Sequence, residues 1–123
     1  MNAVLVDTDV VSMIFKQDSR AQLYRPHLTG LLLAVSFMTV AELHRWALIK
    51  NWGGARKAEL HEYLSNYIVL MCDAELCLSW AEVTEAARRN GRPIGCADAW
   101  IAATARLYRI PLVTHNYRDY FGR

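Results

Sequence analysis

Four short apolar runs, Val4–Val6, Leu31–Val35, Tyr67–Met71 and Pro111–Thr114, recur along the chain with helix-like stretches between them. They are continuous rather than alternating apolar with polar. A strand that is apolar on both sides needs cover on both faces, which a sheet with one wet face does not provide. Strands of this kind alternating with helices predict a parallel α/β sheet packed between helices.

The intervening segments carry helix signals. Asp7 or Thr8 caps a first helix to about Lys16. Residues Ser19 to His27 predict a second, with Pro26 disturbing its end. Thr39 followed by Glu42 has the spacing of a capping box and opens a helix to about Lys50. After a Gly53-Gly54 turn comes a helix over 55–66. Asp73 caps a long helix to Asn90, closed by Gly91. Cys96 or Ala97 opens an alanine-rich helix to about Tyr108.

At 123 residues the chain has the size of one domain, 1–123, without repeats or linkers. It stops at Gly122-Arg123, where a further C-terminal edge strand could have followed and been trimmed. The apolar fraction of 54% fits either a well-filled core or a surface partly covered by a partner. The longest apolar stretch, Leu31 to Ala41, is too short for a bilayer and is broken by Ser36 and Thr39. No basic region precedes the N-terminal apolar run, so a secretory signal is not expected. Three cysteines, Cys72, Cys77 and Cys96, lack metal-type spacing and read as reduced, buried thiols of a cytoplasmic protein.

Net charge is +2, but it is unevenly spread. Residues 1–84 hold 7 basic and 9 acidic side chains, whereas residues 85–123 hold 7 basic and 3 acidic. All seven of the latter bases are arginines, among them Arg88, Arg89, Arg92 and Arg118. Arginine binds phosphate bidentately, so these four are candidate nucleic-acid contacts, with solvated helix faces the blander reading.

In a parallel sheet, ligands bind beyond the carboxyl ends of the strands. Asp7 directly follows the first strand, and Thr114, Asn116 and Asp119 end or follow the last. Glu42 sits in the helix entered from the second strand, and Asp98 in the first turn of the helix that precedes the fourth. Each acid has an ordinary explanation as a cap or a first-turn carboxylate. Together they are brought by the topology to one sheet edge. Several carboxylates in a partly buried cleft repel one another, and a divalent cation resolves the conflict. Oxygen ligands alone favour Mg²⁺ or Mn²⁺ over zinc.

The blocks Leu5-Val6-Asp7-Thr8-Asp9, Thr39-Val40-Ala41-Glu42-Leu43, Asp98-Ala99-Trp100-Ile101-Ala102-Ala103-Thr104-Ala105 and Leu112 to Tyr120 resemble, in order and spacing, those of PIN domains. More narrowly they resemble the VapC toxins of prokaryotic toxin–antitoxin pairs. The resemblance implies a three-layer α/β/α sandwich with a mostly parallel sheet. It also implies a Mg²⁺- or Mn²⁺-dependent endoribonuclease that cleaves tRNA or ribosomal RNA. A homodimer and a VapB-like antitoxin partner are implied as well, with DNA contacted only through the antitoxin. Asp7, Glu42 and Asp98 match the family's three firm acidic positions. The fourth, often Asp, is Asn116 here, with Asp119 able to supply the missing charge. Asp7, Glu42, Asp98 and Asn116 are then the metal set, with Asp119 as a further catalytic candidate and Thr114 in support.

On this reading a metal-activated water attacks the phosphodiester in line and leaves a 5′-phosphate and a 3′-hydroxyl. Metal-free cleavage would need paired acid–base groups, and of the four histidines only His115 falls near the cleft. Hydrolase, P-loop and dinucleotide fingerprints are missing. A phospho-receiver domain would need a lysine near the last strand, and none is there. The alternative that survives is a PIN-like RNA- or protein-binding module with impaired catalysis, kept open by Asn116.

Overall fold

The computed structural model describes residues 2–116. Its strands are β1 (Ala3–Val6), β2 (Leu32–Ser36), β3 (Ile68–Leu70) and β4 (Leu112–Val113). They form one sheet in the order β3-β2-β1-β4, with every neighbouring pair parallel. The helices are α1 (Thr8–Phe15), α2 (Arg25–Leu28), α3 (Phe37–Ile49), α4 (Gly54–Leu64), α5 (Ala74–Arg89) and α6 (Cys96–Tyr108). The expected α/β architecture is therefore the observed one.

The sheet buries two faces because the strand residues alternate between two cores. Val4, Val6 and Val35 join Val10, Val11, Leu43, Leu60 and Leu64 from α1, α3 and α4. Leu5 and Ala34 point the other way, onto Ile101 of α6, with Ala105 and Leu112 beside them. Leu5, Val6 and Val35 are completely buried, and each such side chain contributes roughly 1.5–3 kcal/mol by leaving water. The alanines of α6 let it approach the sheet closely. Outside it lies α5, fastened by Ser79 Oγ donating to Ala103 O at 3.0 Å and by the Trp80 and Trp100 rings stacked at 5.2 Å. Gly91, at φ +70°, supplies the left-handed residue that ends α5.

Several sequence expectations shift. The segment from Ser19 to His27 is not one helix: a 3-10 turn at Ser19–Leu23 precedes the short α2. Pro26 sits in the first turn of α2, where its missing N–H does no harm, and so begins a helix rather than ending one. Helix α3 starts earlier than expected. Ser36, not Thr39, is its cap, accepting from Met38 N at 3.1 Å. Thr39 is instead fully buried, and Glu42 stands beyond the first turn, outside any capping box. The cysteines are not buried: all three thiols are exposed, because Cys72 and Cys77 flank the start of α5 and Cys96 opens α6. Trp46, Trp52 and Tyr63 pack partly buried against the larger core. Among the described residues, no helix is long and apolar enough to cross a membrane.

Candidate active site at the strand ends

Beyond the carboxyl ends of β1 and β4, the chain turns sharply into polar residues. Asp7 leaves β1 and caps α1, with Oδ1 accepting from Thr8 N at 2.8 Å. Its other oxygen accepts from Thr114 Oγ1 at 2.6 Å, across 107 positions of sequence. Thr114 in turn accepts from Asn116 N at 3.0 Å. Asn116 thus supports Asp7 through its backbone N–H and through Thr114. Asp7 is only 3% exposed, and both of its carboxylate oxygens have donors, as buried polar atoms require.

Thr8 does a second thing. Its hydroxyl donates to Glu42 Oε1 at 2.8 Å and lies 2.9 Å from Thr39 Oγ1. Thr8 has one hydroxyl proton, and the carboxylate can only accept it. Thr39 must therefore donate to Thr8, giving a directed chain Thr39 to Thr8 to Glu42. One residue fixes Asp7 through its backbone and Glu42 through its side chain.

The electrostatics agree with this convergence. Burial pushes the Glu42 carboxyl above its ordinary value, the Thr8 hydrogen bond opposes the shift, and the charges of Asp7 and Asp98 add to it. Asp98 lies in the first turn of α6 and is partly buried. Asp9 is pushed up to about 6, first by burial and then by the charge of Asp7. Its Oδ1 accepts from Val10 N at 2.7 Å, and the backbone of His115 helps hold the ionised form. His115 is itself anchored by a hydrogen bond between Nδ1 and the Tyr24 hydroxyl.

The structure thus gathers Asp7, Glu42, Asp98, Thr114 and Asn116 at one end of the sheet. Asp119 and Arg118 lie outside the described residues. Three residues were missed in the sequence reading: Thr8, Thr39 and Asp9. Their available signal was the Asp-Thr-Asp triplet straight after β1 and a threonine one turn before Glu42. Arg88 and Arg89, at the exposed end of α5, both bind Glu85, at 2.7 and 3.0 Å, so part of their charge is already satisfied. Arg92 is exposed in the loop that leads to α6.

Among the described residues, no three His, Cys, Asp or Glu side chains are drawn together into a ready-formed metal set. The donors are nonetheless of the right kind. Glu42 feels the charges of both Asp7 and Asp98 from separate segments, burial makes its ionisation costly, and carboxylate oxygens suit a hard divalent cation.

A family model described as the PIN domain matches residues 4–123. The chain belongs to the PIN-domain family. This PIN domain is similar to Ribonuclease VapC1 of Haemophilus influenzae strain R2866, at 30% identity over 122 residues covering 94% of this chain and 88% of the relative. It is also similar to Toxin FitB of Neisseria gonorrhoeae, at 30% identity over 130 residues covering 97% of this chain and 91% of that protein. Among solved structures, VapBC-1 from nontypeable Haemophilus influenzae superposes with a TM-score of 0.77 and 28% identity, over 95% of this chain and 89% of that one. The expected fold class and family are those observed.

Proposed function

We propose that this PIN domain is a metal-dependent endoribonuclease and acts as the toxin of a type II toxin–antitoxin pair. The observation that carries the chemistry is the convergence of Asp7, Glu42 and Asp98, from three distant segments, with the first two tied together by Thr8. The naming of its relatives as a ribonuclease and a toxin supports the biological role. The VapBC-1 neighbour supports a VapB-like antitoxin partner. The substrate on this reading is tRNA or ribosomal RNA, and the toxin is a homodimer that meets DNA only through its antitoxin.

Asp7, Glu42 and Asp98 would hold Mg²⁺ or Mn²⁺, with Asn116 or Asp119 completing the set. The cation, when bound there, supplies an activated water at neutral pH and offsets charge on the scissile phosphate. The protein's part is orientation. Thr8 and Thr114 fix both oxygens of Asp7, and the Thr39–Thr8 chain aims one oxygen of Glu42. Arg92 and the outer faces of Arg88 and Arg89 would meet phosphates on the side from which Asp98 enters.

The test is cleavage of tRNA and ribosomal RNA with Mn²⁺ or Mg²⁺, with chelator, and by Asp7→Asn. Cleavage should leave 5′-phosphates, stop with chelator and fall at least 100-fold in Asp7→Asn. Cutting that survives chelator or Asp7→Asn would refute the metal mechanism. If no RNA is cut under any of these conditions, the binding-module reading replaces it.

A further inference from the structure

A cleft of about 280 Å³ opens beside the strand-end acids and runs along α1. Asp9, His115 and Asn116 line its inner end, and Lys16 and Trp46 its outer end. Lys16 follows the last residue of α1, and its ammonium sits 5.9 Å from the centre of the Trp46 ring. Beyond it the surface continues as alternating cations and aromatics. The Arg56 guanidinium lies 4.5 Å from the Trp52 ring centre and 5.0 Å from that of Phe15.

Three cations are crowded here. Lys50 caps α3 one turn beyond Trp46, and Arg56 lies over Phe15 next to Lys16; Lys50, then partial desolvation, then the Arg56 charge push Lys16 below an ordinary lysine. Asp18, whose charge reaches Lys16, is engaged by both the Nε and an Nη of Arg20, at 3.1 and 2.8 Å. A lysine after a helix C-terminus is favoured by the helix dipole, which accounts for Lys16 after α1 and Lys50 after α3 one at a time. It does not account for their being brought together and next to Arg56. Like charges on one surface repel, and a shared anion relieves the repulsion. Interleaved aromatic faces add what a simple anion would not use, namely stacking surface for bases.

We propose that this cleft and its cationic end form a subsite for single-stranded RNA flanking the cut, with a base on Trp46 and the adjoining phosphates on Lys16, Lys50 and Arg56. Of the arginines expected from the sequence to meet RNA, Arg88 and Arg89 lie on α5 and Arg92 in the loop after it. This surface is built instead from α1, α3 and α4 and is continuous with the acids through Asp9 and Asn116. The identity of the polymer rests on the ribonuclease reading; the subsite itself rests on the cleft.

The test is binding of a short fluorescent single-stranded RNA by anisotropy, with chelator present so that nothing is cut. The wild-type chain is compared with Lys16→Gln/Lys50→Gln and with a control that removes equal charge elsewhere, Arg106→Gln/Arg109→Gln. The lysine pair should weaken binding about tenfold or more and lower the slope of log K against log salt by about 1.4, two single-strand phosphate contacts. Trp46→Ala should weaken binding roughly tenfold, and Trp46→Phe should restore most of it. Equal effects from the lysine pair and the control pair, or no binding by the wild-type chain, would overturn the subsite. Cleavage assays separate the two claims. A chain that cuts RNA with KM unchanged by the lysine pair keeps the nuclease reading and loses the subsite. A chain that binds through the lysines but never cuts keeps the subsite and loses the nuclease.

Discussion

Thr8→Val is the most direct probe of how the acids are held. Valine nearly matches threonine in shape but removes the hydroxyl at the centre of the Thr39–Thr8–Glu42 chain. Glu42 loses a hydrogen bond to a charged oxygen, worth about 1.5–3 kcal/mol, and the fully buried Thr39 hydroxyl loses its acceptor, about 1 kcal/mol more. The added methyl at a site 5% exposed returns about 1 kcal/mol. Glu42 is half in water, so the low end of its range applies, and the net cost at pH 7 is about 1.5 kcal/mol. The sign of the pH dependence follows from the geometry. The Thr8 bond favours ionised Glu42, whose carboxyl is already raised above its ordinary value. Below that value Glu42 is protonated, the bond matters less, and the cost falls to about 1 kcal/mol. Urea unfolding of the metal-free chain at pH 7 and pH 4 measures both. Thr39→Val, which spares the carboxylate its donor, should cost about 1 kcal/mol at either pH. A Thr8→Val cost that is the same at both pH values, or below about 0.5 kcal/mol at pH 7, would refute the directed chain.

Asp9→Asn should stabilise the metal-free chain at neutral pH. The folded pKa of about 6 lies above the ordinary 3.8, so the group's stabilising contribution is complete below about pH 4 and is lost as pH rises through 6. Scaled down for a half-buried group, the gain on removing it is about 1 kcal/mol at pH 7, fading by pH 4, in the same urea assay. Ile101→Ala, at a position 1% exposed between α6 and the sheet, should cost about 3 kcal/mol by thermal unfolding and reduce cleavage by loosening the mount of Asp98. All three thiols should react with iodoacetamide in the folded state, read by intact mass, since each is exposed. Protection of any one until denaturant is added would contradict the exposed placement.

Much of the fold was legible because its strands are apolar on both sides. Val4, Leu5 and Val6 cannot belong to a sheet with a wet face, and their alternation onto two cores is what the structure contains. Asp7, Glu42 and Asp98 were legible through position, since a carboxylate at a strand end or in a helix's first turns is easily placed by topology. Thr8 and Thr39 were not, because a hydroxyl has many local uses and its partner here is 34 or 31 positions away. The α3 boundary failed for a related reason. Thr39 and Glu42 have capping-box spacing, and only tertiary structure reveals that Ser36 caps first and that both side chains turn toward α1. The cysteines misled because a thiol is among the most buried side chains on average, and these happen to open helices at the surface. Lys16, Lys50 and Arg56 belong to three elements whose ends meet only after packing.

The strand order carries a consequence for timing. Strand β1 is the first to be made, yet it pairs with β4 on one side, at Leu5 with Leu112 and Val6 with Val113. At a synthesis rate of roughly 10 residues per second, the seventh residue waits about ten seconds for the threonine that anchors its second oxygen. A polypeptide that stops short of Thr114 cannot complete the donors around Asp7, because the two residues lie 107 positions apart. A nascent chain therefore carries Asp7 with its second oxygen unanchored until Thr114 has been added.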